Sequence, residues 1–240
     1  SDAFNLRCPF LFDSLLGVWC SLTVPVALEL TPDRQVPGME ASCSRTLAIA
    51  LGANLGIPAA TLVAVRPLLS EAIDAWLAHG ERPAEVARPL WRHWSPLYMT
   101  VPVGGPPGQP PYLNAVLLVE RDAAGPDLHP WPSPDALLGR LLALERRFGR
   151  ERRERWGPRS LDLDLLWCGD RLCRSPELVL PHPRLGERTF VLAPLAAIDP
   201  HQRLPGEDVS VAERLAELLA RPGEIPPERL SGRTGWPEGP

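Results

Sequence analysis

The sequence predicts an α+β fold in which helices pack on an antiparallel sheet in three layers (α/β/α). Two observations carry this expectation. Apolar runs of strand length recur along the chain, and between them lie longer segments whose apolar residues repeat at helical spacing. Their order over the 240 residues is β-α-β-β-α-β, the split arrangement of the ferredoxin-like class. A chain of this length can bury one substantial core.

The first strand is Thr46–Leu51 (TLAIAL), which runs into the turn signal Gly-Ala-Asn-Leu-Gly. The first helix covers Ala60–Ala78, where Leu62, Val65, Leu69, Ile73, Trp76 and Leu77 recur at three- and four-residue steps, with Pro67 near its first turn or kinking it. Leu90–Trp94 is the second strand. Ser95–Pro111 includes VPVGGPPGQPP, so rich in proline and glycine that neither regular pairing nor helix is expected, and long loops of this kind are candidate lids. Tyr112–Glu120 (YLNAVLLVE) is the third strand. Pro134–Arg147 is the second helix, with Leu137, Leu138, Leu141, Leu142 and Leu144 as its apolar face. Leu161–Trp167 (LDLDLLW) is the clearest strand, a last helix spans Val209–Ala220, and the proline-rich tail beyond Arg221 is expected to be loosely ordered.

The first methionine is Met39, and the patterned sequence begins directly after it. Residues 1–43 are therefore expected to be an extension outside the fold, 44–222 the folded domain and 223–240 a tail. The uncharged run Ser14–Leu28 is interrupted by Pro25 and is too short for a spanning helix of about 20 residues. Hydrophobic residues at 45% and charged residues at 22% fit a folded globular chain. A net charge of −4 argues against general attraction to nucleic acid or to an anionic membrane. All 25 basic residues are arginine, so a lysine-ending P-loop is excluded and ATP, if bound, is held another way. The cysteines Cys8, Cys20, Cys43, Cys168 and Cys173 contain no C-x-x-C hook, and they read as reduced thiols of a cytoplasmic protein.

Chemistry concentrates around the last strand. Asp162 and Asp164 flank Leu163, and side chains at i and i+2 share a face, about 7 Å apart at the backbone. Two such carboxylates repel unless a cation lies between them, and hard oxygen ligands select magnesium, which adds waters and phosphate oxygens. Taken alone, the pair could simply be the wet face of an edge strand. Arg146, Arg147, Arg150, Arg152, Arg153, Arg155 and Arg159 lead directly into it, however, and arginine forks bind phosphate oxygens. A salt-bridged helix end, with Glu151 and Glu154 as partners, is the plainer alternative for those arginines.

The run Arg155-Trp156-Gly157-Pro158-Arg159-Ser160-Leu161-Asp162-Leu163-Asp164-Leu165 resembles the signature of the 6-hydroxymethyl-7,8-dihydropterin pyrophosphokinase family. The resemblance extends to Gly52-Ala53-Asn54-Leu55-Gly56, to Gln109-Pro-Pro-Tyr112-Leu-Asn114-Ala, and to Pro181-His182-Pro183-Arg184-Leu185 with Arg188-Thr189-Phe190, covering roughly Arg45 to Pro200. It implies that Asp162 and Asp164 hold two magnesium ions on the ATP phosphates, with Arg150 and Arg159 acting on those phosphates. Arg152 would sit on a mobile lid, and Glu145, Trp156, His182 and Arg188 would lie on the ATP side. Thr100, Val103, Tyr112, Asn114, Trp156 and Phe190 would form the pterin pocket, where aromatic rings stack on the bicycle and an amide reads its edge. The valines of Thr100-Val101-Pro102-Val103-Gly104 and the acid in Pro176-Glu177-Leu178 depart from the common family pattern.

The resemblance implies a cytoplasmic monomer that acts on ATP and 6-hydroxymethyl-7,8-dihydropterin, without nucleic-acid or membrane partners. Two other classes share some of these features. A two-metal phosphoesterase would use the same carboxylates and arginines without a pterin pocket. A ferredoxin-like RNA-binding module would want exposed aromatics on a basic sheet, against which the acidic balance counts.

Overall fold

The computed structural model describes residues 45–78, 90–121, 130–150, 157–232, 234–237 and 239. The expectations for the N-terminal extension, for Arg152 and for Trp156 fall outside them. The elements in order are β1 (Thr46–Ala53), α1 (Pro58–Ala78), β2 (Leu90–Trp94), β3 (Leu97–Thr100), β4 (Tyr112–Arg121), α2 (Pro134–Arg147), β5 (Asp162–Cys168), β6 (Cys173–Arg174), β7 (Val179–Leu180), a 3₁₀ turn (Leu185–Glu187), α3 (Thr189–Ile198), α4 (Val211–Leu219) and β8 (Glu228–Leu230). The main sheet runs β5-β1-β4-β3-β8, with β2 also on β4, and every pairing in it is antiparallel.

Two apolar clusters form on opposite faces of this sheet, because side chains alternate along each strand. Leu47, Ile49 and Leu51 of β1, Ala115, Leu117 and Val119 of β4, and Leu163 and Leu165 of β5 pack with Leu62, Leu69 and Ile73 of α1 and Leu137 and Leu141 of α2. Ala48, Val116, Leu118 and Leu166 point the other way, against Val191, Leu192 and Leu195 of α3 and Val211 and Leu218 of α4. The register shifts between Ala48 and Ile49, which face Trp167 and Leu165 respectively. Leu166 is thus the extra residue of a bulge, and Leu166 and Trp167 both join the α3/α4 cluster. A reciprocal capping box at Ser210 and Glu213 starts α4.

Three expectations are corrected. Leu97–Thr100 pairs with β4 although it lies in the segment expected not to pair; its four residues contain no proline or glycine, which are concentrated after Val101. The first helix begins at Pro58, so Pro67 lies well inside it rather than near its first turn. The chain beyond Arg221 is built into the fold: β8 pairs with β3, and Trp236 is buried against Trp94, their rings edge to face at 5.6 Å. Among the described residues no helix is long and apolar enough to cross a membrane.

Candidate active site

Strand register brings the candidate residues together. On one rung Asn114 of β4, Gly52 of β1 and Asp162 of β5 lie side by side, and on the next-but-one rung Ala50 stands beside Asp164. The side chains of Asn114, Asp162, Ala50 and Asp164 point to the α3/α4 face, at the end of the sheet that the apolar cluster leaves uncovered. A cleft opens there, lined by Gly52, Thr100, Val103, Tyr112, Asn114, Arg159, Asp162, Asp164, Arg184, Arg188 and Phe190. Gly52 is the middle of its floor. A Cβ at that position would stand 3.1 Å from Asn114 Oδ1 and 3.9 Å from Asp162 Cβ, so a side chain there would crowd the rung.

The acidic end of the cleft is clamped by arginines. Arg159 hydrogen-bonds Asp162 Oδ2, and Arg188 Nη1 donates to Asp164 Oδ2 at 3.1 Å. Arg150 Nη2 lies 2.8 Å from Asp162 Oδ1, in ion-pair range but off hydrogen-bonding geometry, and that buried oxygen has no hydrogen-bond partner among the described residues. Burial pushes the Asp162 carboxyl up, the charge of Asp164 pushes it further, and Arg159 and Arg150 pull it back only in part. A second cation near these oxygens would relieve the same repulsion.

Behind the acids, Glu145 of α2 is buried and accepts the Leu163 N–H at 2.8 Å while pairing with Arg150. β5 is the edge of the sheet, so Glu145 satisfies an amide that no strand would otherwise cover. Burial raises its carboxyl above the ordinary range, against the lowering by the Leu163 amide and Arg150. Glu145 and Arg150 sit behind the cleft wall rather than in its lining. His182 also lies off the lining. Its backbone N–H donates to Leu166 O at 2.7 Å, and its Nδ1 accepts from Arg184 N at 3.1 Å, so a neutral ring carries its proton on Nε2. Burial lowers its pKa; Asp164 opposes that, while Arg188 and Arg184 reinforce it.

The opposite end of the cleft is flat and mostly uncharged. Asn114 Nδ2 donates to Thr100 Oγ1 at 2.7 Å, which leaves its Oδ1 toward the Gly52 floor. Tyr112 Oη donates to Gly157 O at 3.1 Å, tying this wall to the segment entering β5. Phe190 also lines the cleft, with the Arg188 guanidinium 5.4 Å from its ring centre.

Three residues at or behind this site were not assigned roles from the sequence. Arg184 lines the cleft and was quoted only as part of a motif. Gly52 matters through its missing side chain, which only the register reveals. Asn54, at the end of β1, is buried; its Oδ1 accepts the Arg159 N–H at 2.7 Å and its Nδ2 donates to Pro110 O at 3.1 Å. It thereby fixes the backbone of Arg159 to the proline-rich loop. A buried amide just after a strand, needing partners on both ends, was the available signal.

An α/β chain whose cleft is lined by clustered carboxylates and arginines together with an amide and two aromatic rings has the make-up of a phosphoryl-transfer enzyme for a flat, polar-edged substrate. The profile of the family described as "7,8-dihydro-6-hydroxymethylpterin-pyrophosphokinase (HPPK)" matches residues 48–200, and the chain belongs to that family. It is 38% identical over 184 residues to the 2-amino-4-hydroxy-6-hydroxymethyldihydropteridine pyrophosphokinase of Pseudomonas aeruginosa, covering 77% of this chain and 96% of that one. The enzyme of the same name from Haemophilus influenzae is 33% identical over 164 residues, 68% of this chain and 88% of that one. A shorter match to the Synechocystis enzyme of that name, 47% identical, spans 40% of this chain and 44% of the relative. Among solved structures, a Plasmodium falciparum HPPK-DHPS superposes over 74% of this chain and 44% of its own, at 11% identity and a TM-score of 0.47, a likeness too loose to bear on function.

Proposed function

We propose that this chain transfers pyrophosphate from ATP to 6-hydroxymethyl-7,8-dihydropterin, yielding the pterin diphosphate and AMP, a step of folate biosynthesis. The observation that carries the reading is the single rung on which Asn114, Gly52 and Asp162 stand together. On this reading an amide that would read the pterin and a carboxylate that would bind a cation stand two strands, about 10 Å, apart on one floor, a distance for the pterin bicycle and its hydroxymethyl arm to span together. The strand order, with β5 beside β1 and β1 beside β4, also supports the ferredoxin-like βαββαβ reading.

The donor set fits magnesium. Two carboxylates with an orphaned buried oxygen on Asp162 leave room for water and phosphate oxygens, and Asp162 and Asp164 would hold two ions. Those ions would neutralise charge on the triphosphate as it is transferred. The protein's own part is positioning. Arg159, Arg150 and Arg188, already paired with the acids, would turn to the phosphate oxygens. Tyr112 and Phe190, with Trp156, would sandwich the pterin, Asn114 and Thr100 would read its edge, and Val103 would lie over it. His182, with its proton on Nε2, would donate to a phosphate oxygen without charge of its own. Glu145 and Arg152 would complete the ATP side, Glu145 through Arg150.

In the reaction the hydroxymethyl oxygen forms a bond to the β-phosphorus. The bond from that phosphorus to the α–β bridging oxygen breaks, and AMP departs with the bridging oxygen. The hydroxyl proton passes to solvent, and no protein base is required of this geometry. We read the chain as a cytoplasmic monomer working on these small molecules alone.

The test is AMP formation with ATP, magnesium and the reduced pterin, each omitted in turn. AMP is expected only when all three are present. Phosphate release that ignores the pterin would instead favour the two-metal phosphoesterase.

A further inference from the structure

The last part of the chain lies beyond the family match, which ends at residue 200, and yet it grips both walls of the cleft. On one side, β8 pairs Leu230 with Leu97, Arg229 with Tyr98 and Glu228 with Met99. This gives β3 a second neighbour, and β3 leads straight into the Thr100–Gly104 wall. Trp236 locks the start of the same strand: its Nε1 donates to Ser95 O at 2.9 Å, at the point where β2 hands over to β3 along β4. Arg66 holds Trp236 in place, donating to Gly235 O at 2.8 Å with its guanidinium 5.4 Å from the Trp236 ring and 5.2 Å from Trp94.

On the other side, Glu224 Oε1 accepts the Thr189 hydroxyl at 2.7 Å. Thr189 is buried at the start of α3, between Arg188 and Phe190, both of which line the cleft. Arg188 supplies no side-chain cap to that helix, so an acid at its N-terminus is favourably placed against the orphan amides. Between Glu224 and β8 the chain has only Ile225, Pro226 and Pro227, and proline restricts the backbone there.

We propose that the segment carrying Glu224, β8 and Trp236 forms a strap that fixes the spacing between the two walls of the pterin slot, and that its hold on β3 sets affinity for the pterin while leaving ATP affinity alone. The claim about substrates rests on the function proposed above; the mechanical claim does not. Thr189 adjoins Arg188 on the ATP side as well as Phe190, whereas the grip on β3 makes no contact with Asp162, Asp164, Arg159 or Arg188 among the interactions described, so it is the β3 grip that should separate the two substrates.

Three variants test it. Glu224→Ala removes one exposed carboxylate; Trp236→Phe keeps a ring but loses the donor to Ser95; Trp236→Ala removes both. Amide hydrogen exchange on the ligand-free chain and KM for each substrate are the readouts. Exchange is expected to quicken at 189–192 in the first variant and at 97–100 in the others. The pterin KM should rise about threefold for Glu224→Ala and about tenfold for Trp236→Ala, with Trp236→Phe between, and the ATP KM should stay within about twofold in both Trp236 variants. Unchanged exchange overturns the strap. So does faster exchange with an unchanged pterin KM, or a parallel rise in both KM values in the Trp236 variants, which would mark a merely loosened fold. Wild-type chain that makes no pterin-dependent AMP sinks the reading of the cleft instead, and the exchange data then decide the strap alone.

Discussion

On the α1/α2 face of the sheet, β1, β4 and β5 present Leu47, Ile49 and Leu51, Ala115, Leu117 and Val119, and Leu163 and Leu165 in an unbroken apolar layer. On the α3/α4 face the same strands carry Ala48, Val116 and Leu166 toward one end of the sheet, but Gly52, Asn114 and Asp162 on a shared rung toward the other. The first face has one task, burial, and every position along it is filled. The second is divided: α3 covers one end, and the cleft takes the other. Stability and chemistry are thus carried by alternate residues of the same strand, so neighbours in sequence should fail in different ways.

The sharpest contrast is within β5. Asp162→Ala or Asp164→Ala is expected to lower kcat by about a thousandfold or more, while circular dichroism and the denaturation midpoint stay close to wild type. Near-normal turnover in both variants would break the assignment of the cation site to this face. Leu163→Ala, the residue between them, should do the reverse. It empties a buried site on the α1/α2 face, and should cost about 3 kcal/mol in urea unfolding, with kcat reduced far less than by either aspartate change. A stable Leu163→Ala chain without activity would show that the two faces are not separable.

Gly52→Ala probes the floor itself. The added Cβ would meet Asn114 Oδ1 at 3.1 Å, so Asn114 or the floor must shift by a few tenths of an ångström. The pterin KM is expected to rise about tenfold with the ATP KM nearly unchanged, and the melting temperature to fall little, because one wall of the contact is open cleft. An equal rise in both KM values would place Gly52 under the nucleotide.

How much of this the sequence could say follows from what each residue answers to. LDLDL declares its faces by alternation, α1 and α2 declare theirs by period, and β1 shows as an apolar run that stops at a turn signal, so those elements and the shared face of the two aspartates were legible. α3 was not: TFVLAPLAAI is buried over most of its surface and contains Pro194, so it has no polar face to mark a period. β8 is three residues, Glu-Arg-Leu, whose strand state is owed to β3 rather than to any propensity of its own. The rung of Asn114, Gly52 and Asp162 was invisible for a deeper reason, since it joins positions far apart in the chain through a register that no local pattern encodes. The motifs named Asn114 and Asp162 separately, and the pairing sets them on one rung with Gly52 between them.

The smallest expected effect concerns Glu145, which serves both faces at once by holding the Leu163 amide and Arg150 from the sheet edge. Burial raises its folded-state pKa above the usual 4.5, the Leu163 amide and Arg150 opposing only in part. A carboxyl with a raised folded pKa binds its proton more tightly in the folded chain than in the unfolded one. Its favourable contribution is therefore complete below the unfolded value and is lost as pH rises through the folded one. Glu145→Gln keeps an oxygen for the Leu163 N–H and removes the titration. Measured by urea unfolding from pH 4 to 7, the variant should gain on wild type as pH increases, and the gap should stop growing once Glu145 is fully ionised. A gap that narrows with rising pH would mean that the ionised carboxylate, paired with Arg150, is the form the fold prefers, and that the charge is worth more at this edge than the burial takes away.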